Sequence, residues 1–168
     1  MNSKFEKTTP EELLGPLNEV ERKHAPRSLY VAGDVDLCRN SARVSVIGTR
    51  EVSPVGLKRT LDLVRMMVER GAVVVSGLAR GVDTCAHRTA IEAGGRTIAV
   101  IGTPLGSFYP RENEELQRKI MAEHLVISQF PEGAPAERKN FAIRNRTMAL
   151  VSHATVIVEA GEGSGTLH

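Results

Sequence analysis

The stretch Ser76-Gly77-Leu78-Ala79-Arg80-Gly81-Val82-Asp83 places glycines, an arginine and a carboxylate between the apolar run Ala72-Val73-Val74-Val75 and a segment with helical periodicity. A buried strand that ends in glycines just before a helix leaves backbone N–H groups at the positive end of that helix, where an anion binds. Glycine lets the backbone approach a ligand closely, and Arg80 can bond a phosphate through two N–H groups at once. Asp83 stands where a helix cap is expected.

A second group is Gly48-Thr49-Arg50-Glu51-Val52-Ser53, with Pro54 and Gly56 after it. Ser53 is expected to cap the following helix and Pro54 to occupy its first position. Capping does not account for Arg50, which can reach a phosphate beside the helix end. The third group, Arg138-Lys139-Asn140-Phe141-Ala142-Ile143-Arg144-Asn145-Arg146, carries cations, no acid and one aromatic ring. Cations that track a backbone and a ring that stacks on a base suit a nucleic-acid strand. Gly163, Ser164, Gly165 and Thr166 form a further candidate phosphate loop, opposed by the charges of Glu159 and Glu162. Asp83, Cys85 and His87 do not share one helix face, so they are not expected to hold a metal, and no cofactor is called for.

These groups recur with the elements that must position them. From Arg43 onward, apolar runs of strand length (Val44–Ile47, Val73–Val75, Thr97–Ile101, Leu125–Ile127, Thr155–Val158) alternate with helical stripes. One stripe is Leu57, Leu61, Val64 and Val68, another Ala86, Ala90 and Ala93; Leu116 with Ile120, and Ile143 with Leu150 and Val151, mark two more. Strands apolar on both faces imply an α/β fold, a doubly wound and mostly parallel sheet with helices on both faces. A glycine-containing loop follows each run, so the function is expected at the carboxyl edge of the sheet, where such folds bind ligands. Before Arg43, Leu13, Leu14, Leu17 and Val20 predict one short helix, and Leu29-Tyr30-Val31-Ala32 a small strand.

The 168 residues are 41% hydrophobic and 25% charged, enough for one globular domain with a real core. A net charge of +2 means that nucleic-acid binding has to come from a local cluster and not from the global field. Cys38 and Cys85 fit neither a zinc site nor a disulfide framework, as expected of a cytoplasmic protein. No apolar run approaches the ~18 residues of a membrane span.

In order along the chain, Gly48-Thr49-Arg50 with Ser53 and Gly56, Ser76 to Asp83 with His87, Gly94-Gly95-Arg96-Thr97, Tyr109-Pro110 with Glu112-Asn113, Asn140-Phe141 with Arg144-Asn145-Arg146, and Val158-Glu159-Ala160 with Ser164-Gly165-Thr166 resemble the motifs of the DNA-processing protein A family, also called DprA or Smf. The resemblance implies an extended Rossmann-like domain that binds single-stranded DNA without catalysing a reaction. It further implies a role in natural transformation and recombination, loading of a RecA-type recombinase, and a homodimer. By position, Arg50, Arg80, Lys139, Arg144 and Arg146 are expected at phosphates, Phe141 at a base with Asn140 beside it, and Ser76, Gly77 and Gly81 to offer backbone N–H groups and close approach. The family usually shows Asn-Phe-Pro where this chain has Ala142. On the family's plan, residues 1–42 are a short helix, small strand and linker, and residues 43–168 a core that stops short at its C-terminal end.

Other functions use similar motifs. A nucleotide phosphoribohydrolase needs an arginine and a carboxylate, for which Arg146 and Glu159 are the candidates. A sensor of free nucleotide would use the Gly161–Thr166 loop as its cradle.

Overall fold

Valine and isoleucine crowd the short runs between glycine turns, and β-branched side chains fit a pleated sheet covered on both faces. The computed structural model describes residues 5–161. Its strands are β1 (Glu6–Thr8), β2 (Leu29–Gly33), β3 (Arg43–Ile47), β4 (Val73–Ser76), β5 (Thr97–Ile101), β6 (Leu125–Ser128) and β7 (Ala154–Ile157). The helices are α1 (Pro10–Leu14), α2 (Glu19–His24), α3 (Pro54–Glu69), α4 (Val82–Glu92), α5 (Glu114–Glu123) and α6 (Arg138–Val151).

The strands form one sheet in the order β1-β2-β6-β5-β4-β3-β7. From β6 to β7 all pairings are parallel, while β1 and β2 are antiparallel. The expected α/β class with a mostly parallel sheet is observed. β1 is an addition to the expected strands: its Glu6-Lys7-Thr8 carries no apolar alternation, and only pairing with β2 makes it a strand. The predicted helix across Leu13 to Val20 is two helices, because Gly15 takes a φ of 87° and ends α1, and Asn18 caps α2 afresh. Leu13 and Leu17 are buried, but Val20 is 70% exposed.

Alternate residues of each strand enter different layers. Val73, Val75, Ile98, Val100, Leu125 and Ile127 meet α6, α1 and the turn at Val35–Cys38. On the other face, Val46 and Val74 pack on α3 and α4, and Ala99 and Val126 on α5. Each fully buried leucine or isoleucine contributes about 1.5–3 kcal/mol. In α6 the buried stripe is Asn140, Arg144, Thr147, Met148 and Val151; of the Ile143-Leu150-Val151 stripe expected from apolarity only Val151 is buried, Ile143 and Leu150 being partly exposed. Polar residues fill the inward face of this helix near the carboxyl edge, and their hydrogen bonds make that burial tolerable. Arg43 holds the far end, donating from Nε to the Val151 carbonyl at 2.6 Å and from its guanidinium to the Cys38 carbonyl.

The chain leaves β6 at one side of the parallel strands and crosses through α6 to enter β7 beside β3 on the other. The direction of strand progression therefore reverses between β3 and β7, and the loops after these strands face each other there. Thr49 N–H donates to the Glu159 carbonyl at 2.8 Å, closing that junction. Gly81 makes the neighbouring contact: its φ is 73°, and a Cβ would collide with the Thr49 and Arg50 carbonyl oxygens. Gly81→Ala is expected to lower stability by at least about 2 kcal/mol, from the left-handed backbone and the collision together; urea unfolding checks it.

Candidate nucleic-acid interface

At the carboxyl edge, the loop after β4 turns on one residue, Gly77. Gly77 N–H donates to Asp83 Oδ2 at 3.1 Å, and Ala79 N–H donates to the same oxygen at 3.3 Å. The Gly77 carbonyl accepts from the Arg144 guanidinium, which also donates to the Val100 carbonyl at 2.7 Å. Asp83 and Arg144 are 5% exposed each. Burial pushes the Asp83 carboxyl up, against the pull of Arg144 and of the loop N–H groups. Burial also pulls Arg144 down; Asp83 opposes that change and Arg50 adds to it. A Cβ on Gly77 would overlap the guanidinium, so glycine is needed here for close approach.

This arrangement corrects the expectation for Asp83. The N-cap of α4 is Gly81, which makes no side-chain cap, and Asp83 reaches back over the loop. A carboxylate of the chain itself thus takes the N–H of Gly77, one of the residues expected to offer it to an anion, and that of Ala79 as well. Ser76 is also engaged internally, its hydroxyl donating to the Val46 carbonyl at 2.7 Å.

The start of α3 is filled in the same way. Ser53 caps it as expected, accepting from Gly56 N–H at 3.0 Å, with Pro54 at the first position. Ser53 in turn donates from its hydroxyl to Glu159 Oε2 at 2.8 Å and from its N–H at 3.2 Å.

Between these two filled positions lies a crevice of about 710 Å³. Arg50, Arg138, Tyr109 and Phe141 line it, with Thr49, Glu51, Ala79, Asn145 and the inward-turned Asp83 and Arg144. Arg50 and Arg138 are exposed and make no ion pair among the described residues. Phe141 is half-buried over Gly102, its ring centroid 5.1 Å from that of Tyr109.

The other sequence-predicted residues are dispersed. Arg80 is exposed and ion-paired with Glu112, and does not itself line the crevice. Lys139 is exposed and 2.6 Å from Glu137. Asn140 is buried and donates to the Pro135 carbonyl at 3.0 Å, shaping the approach to α6. Arg146 lies in a different groove, with Val20, His24, Ala149 and Leu150. Two positions along a helix turn a side chain through about 200°, so Arg144 and Arg146 could not both face the crevice. Gly163, Ser164, Gly165 and Thr166 lie outside the described residues. Sequence reasoning left Arg138 and Tyr109 off the site. Arg138 stood in the basic run but lacked a motif position, and Tyr109 stood in a motif to which no contact was assigned.

His87 is buried, and its Nδ1 lies 2.7 Å from Thr97 Oγ1. Thr97 donates its own proton to the Val74 carbonyl, so the imidazole donates to the hydroxyl. Cys38 and Cys85 are free, and burial raises the Cys38 thiol to about 11. No group of His, Cys, Asp and Glu able to hold a metal occurs among the described residues. No described helix is long and apolar enough to cross a membrane.

Comparison with known proteins supplies the context for this crevice. The family model described as DNA recombination-mediator protein A matches residues 5–168. DNA processing protein DprA of Streptococcus pneumoniae is 41% identical over 143 residues, which are 85% of this chain and 50% of that protein. Its X-ray structure superposes with a TM-score of 0.86 at 36% identity, over 98% of this chain and 58% of that one. The structure of DNA processing protein A from Helicobacter pylori, described for its single-stranded DNA binding mode, gives a TM-score of 0.83 at 30% identity, over 99% of this chain and 75% of that one. The chain spans half or less of the length of the curated relatives it matches.

Two outcomes separate framework from surface here. Replacing Arg144 by alanine leaves Asp83 and two carbonyls without their partner in a buried place, and is expected to lower stability by about 3 kcal/mol or more. Arg50→Ala at the rim should stay within about 0.5 kcal/mol of the parent in the same unfolding assay. The second outcome concerns pH. Burial holds His87 down to about 3, whereas the unfolded chain takes up this proton near pH 6.5. Stability contributed by the neutral ring is therefore present above about pH 6.5 and lost as the pH falls toward 3, at up to about 1.4 kcal/mol per unit. Between pH 7 and 5, His87→Gln should lose about 2 kcal/mol less than the parent in urea unfolding.

Proposed function

Because the chain belongs to the DNA recombination-mediator protein A family, we propose that it binds single-stranded DNA along the carboxyl edge of its sheet, as a binding protein without a reaction of its own. The observation that carries this reading is the filling of two backbone anion positions among the described residues by the chain's own carboxylates: Asp83 at Gly77 and Ala79, Glu159 at Ser53. A mononucleotide binder of the phosphate-loop kind needs those N–H groups open. Here the cations left to a ligand are side chains, Arg50 and Arg138, on the rim of a crevice that also carries aromatic rings. Side-chain cations with rings suit a strand that is read by its charge and stacking and not by its sequence. The similar protein from Helicobacter pylori, described for its single-stranded DNA binding mode, supports the same reading.

The phosphoribohydrolase reading lacks its pair. Glu159 is committed to the start of α3 and Arg146 sits in the groove beside α2, so the described residues do not join the expected arginine and carboxylate. The sensor reading needs residues 161–166 as a cradle, and all of these but Gly161 lie outside the described residues.

On the same family ground we extend the proposal to DNA processing in transformation and recombination, to loading of a RecA-type recombinase, to a homodimer and to a cytoplasmic location. The crevice itself is tested by anisotropy of a labelled oligo(dT) at about 50 and about 200 mM salt. Binding should weaken with salt, resist mononucleotide competitor, and be lost by at least about tenfold in an Arg50→Ala, Arg138→Ala double variant. That variant should also flatten the slope of log affinity against log salt by about 1.4, at ~0.7 for each single-strand phosphate contact removed. Full competition by mononucleotide, with no gain from oligonucleotide length, would overturn the DNA reading.

A further inference from the structure

We infer that Tyr109 is the surface on which an unpaired base of the bound strand stacks, with Phe141 as the ring that backs it. The inference rests on the single-strand reading and deepens it, because it assigns the base contact to a residue outside the basic motif.

The two rings differ in what they leave open. Phe141 is half-buried, one side lying on the Gly102 backbone so closely that a Cβ at that glycine would touch the ring. Tyr109 packs against it at 5.1 Å with the planes tilted by 47°, and is itself 52% exposed on the crevice wall. A tilted pair at this distance is a favourable aromatic contact, so Phe141 holds the tyrosine ring in place while the outer surface stays open. Only four Phe and two Tyr occur in the chain and there is no Trp, so an aromatic left open at a crevice is a scarce resource.

The loop that presents Tyr109 is fastened on every side. Leu105 is fully buried in the α5 layer and its carbonyl accepts from Gln117 Nε2 at 3.1 Å. Ser128 donates to the Thr103 carbonyl at 2.7 Å, and Gly106 N–H donates to Glu132 Oε1 at 2.9 Å. Phe108 turns away from the crevice under the Arg118 guanidinium, 4.3 Å from its ring centre. On the other flank Asn113 donates to the Leu78 carbonyl at 3.0 Å and Glu112 pairs with Arg80. Arg80, expected at a phosphate, thus ties the loop after β4 to the loop that carries Tyr109. A ring held by so many fixed neighbours loses little freedom when a base stacks on it, which is what pre-organised binding requires. Arg50 and Arg138 on the same crevice are placed to take the phosphates of the nucleotide so held. Stacking of this kind accepts every base, and a paired base is not free to reach it.

The test compares oligo(dT) with an oligomer of equal length whose nucleotides are abasic, using the parent, Tyr109→Ala and Tyr109→Phe. Tyr109→Ala should lose about tenfold in affinity for oligo(dT) and nothing measurable for the abasic strand, and Tyr109→Phe should restore the loss. A direct readout needs no disruptive change. With no Trp in the chain, emission comes from Tyr30 and Tyr109, so oligo(dT) should quench the parent and leave the remaining tyrosine emission of Tyr109→Phe unchanged. The inference is overturned if Tyr109→Ala binds both strands as the parent does, or if both proteins quench equally. A parent that binds neither strand would instead remove the single-strand reading on which the inference stands.

Discussion

The Gly77 backbone lies between a buried acid and a buried base, its N–H given to Asp83 and its carbonyl accepting from Arg144. Much of the carboxyl edge depends on this clamp. Through Arg144 it joins α6 to the ends of β4 and β5, and through Asp83 it fixes the loop that leads into α4. Neither charge is sustainable alone in that surrounding, since burial raises the acid and lowers the base. Glycine is the residue that lets the guanidinium come so near to the backbone.

With α6 fixed by its buried polar stripe, the exposed face of its first turns is aimed along the crevice. Arg138 and Phe141 reach the wall, whereas Arg146 is turned to the other side of the helix. Among the described residues, the clamp and the Glu159–Ser53 contact close two places where a backbone would grip a phosphate. On the proposed reading, affinity comes from exposed arginines and from rings, a combination tolerant of sequence and responsive to salt. That is the character expected of a protein that follows a strand.

The strand and helix succession from Arg43 to Ile157 is legible because valine-rich runs and helical stripes alternate with glycine turns. β1 is not, since its three residues owe their conformation to a partner strand and not to their own types. At the site, Arg50 is legible as an arginine that no cap explains. Asp83 and Arg144 take roles other than those expected, because a motif states which residues matter and not which way they face. The stripe Asn140, Arg144, Thr147, Met148, Val151 does follow helical spacing, so the inward turn of Arg144 is readable once polar residues are allowed into the buried face. Tyr109 stands in a motif, but its place beside Phe141 is not readable, because the two meet only when β5 and α6 come together.

The most direct measurement is a titration of isotope-labelled protein with oligo(dT), followed by the backbone amide resonances. Amides of Thr49 to Glu51, of Tyr109 and of Arg138 to Ala142 are expected to move with strand concentration, while those of Gly77 and Ser53 hold their positions because their carboxylate partners stay in place. Large shifts at Gly77 and Ser53, reproduced by inorganic phosphate alone, would contradict the account by showing that the ligand displaces Asp83 and Glu159 from the backbone.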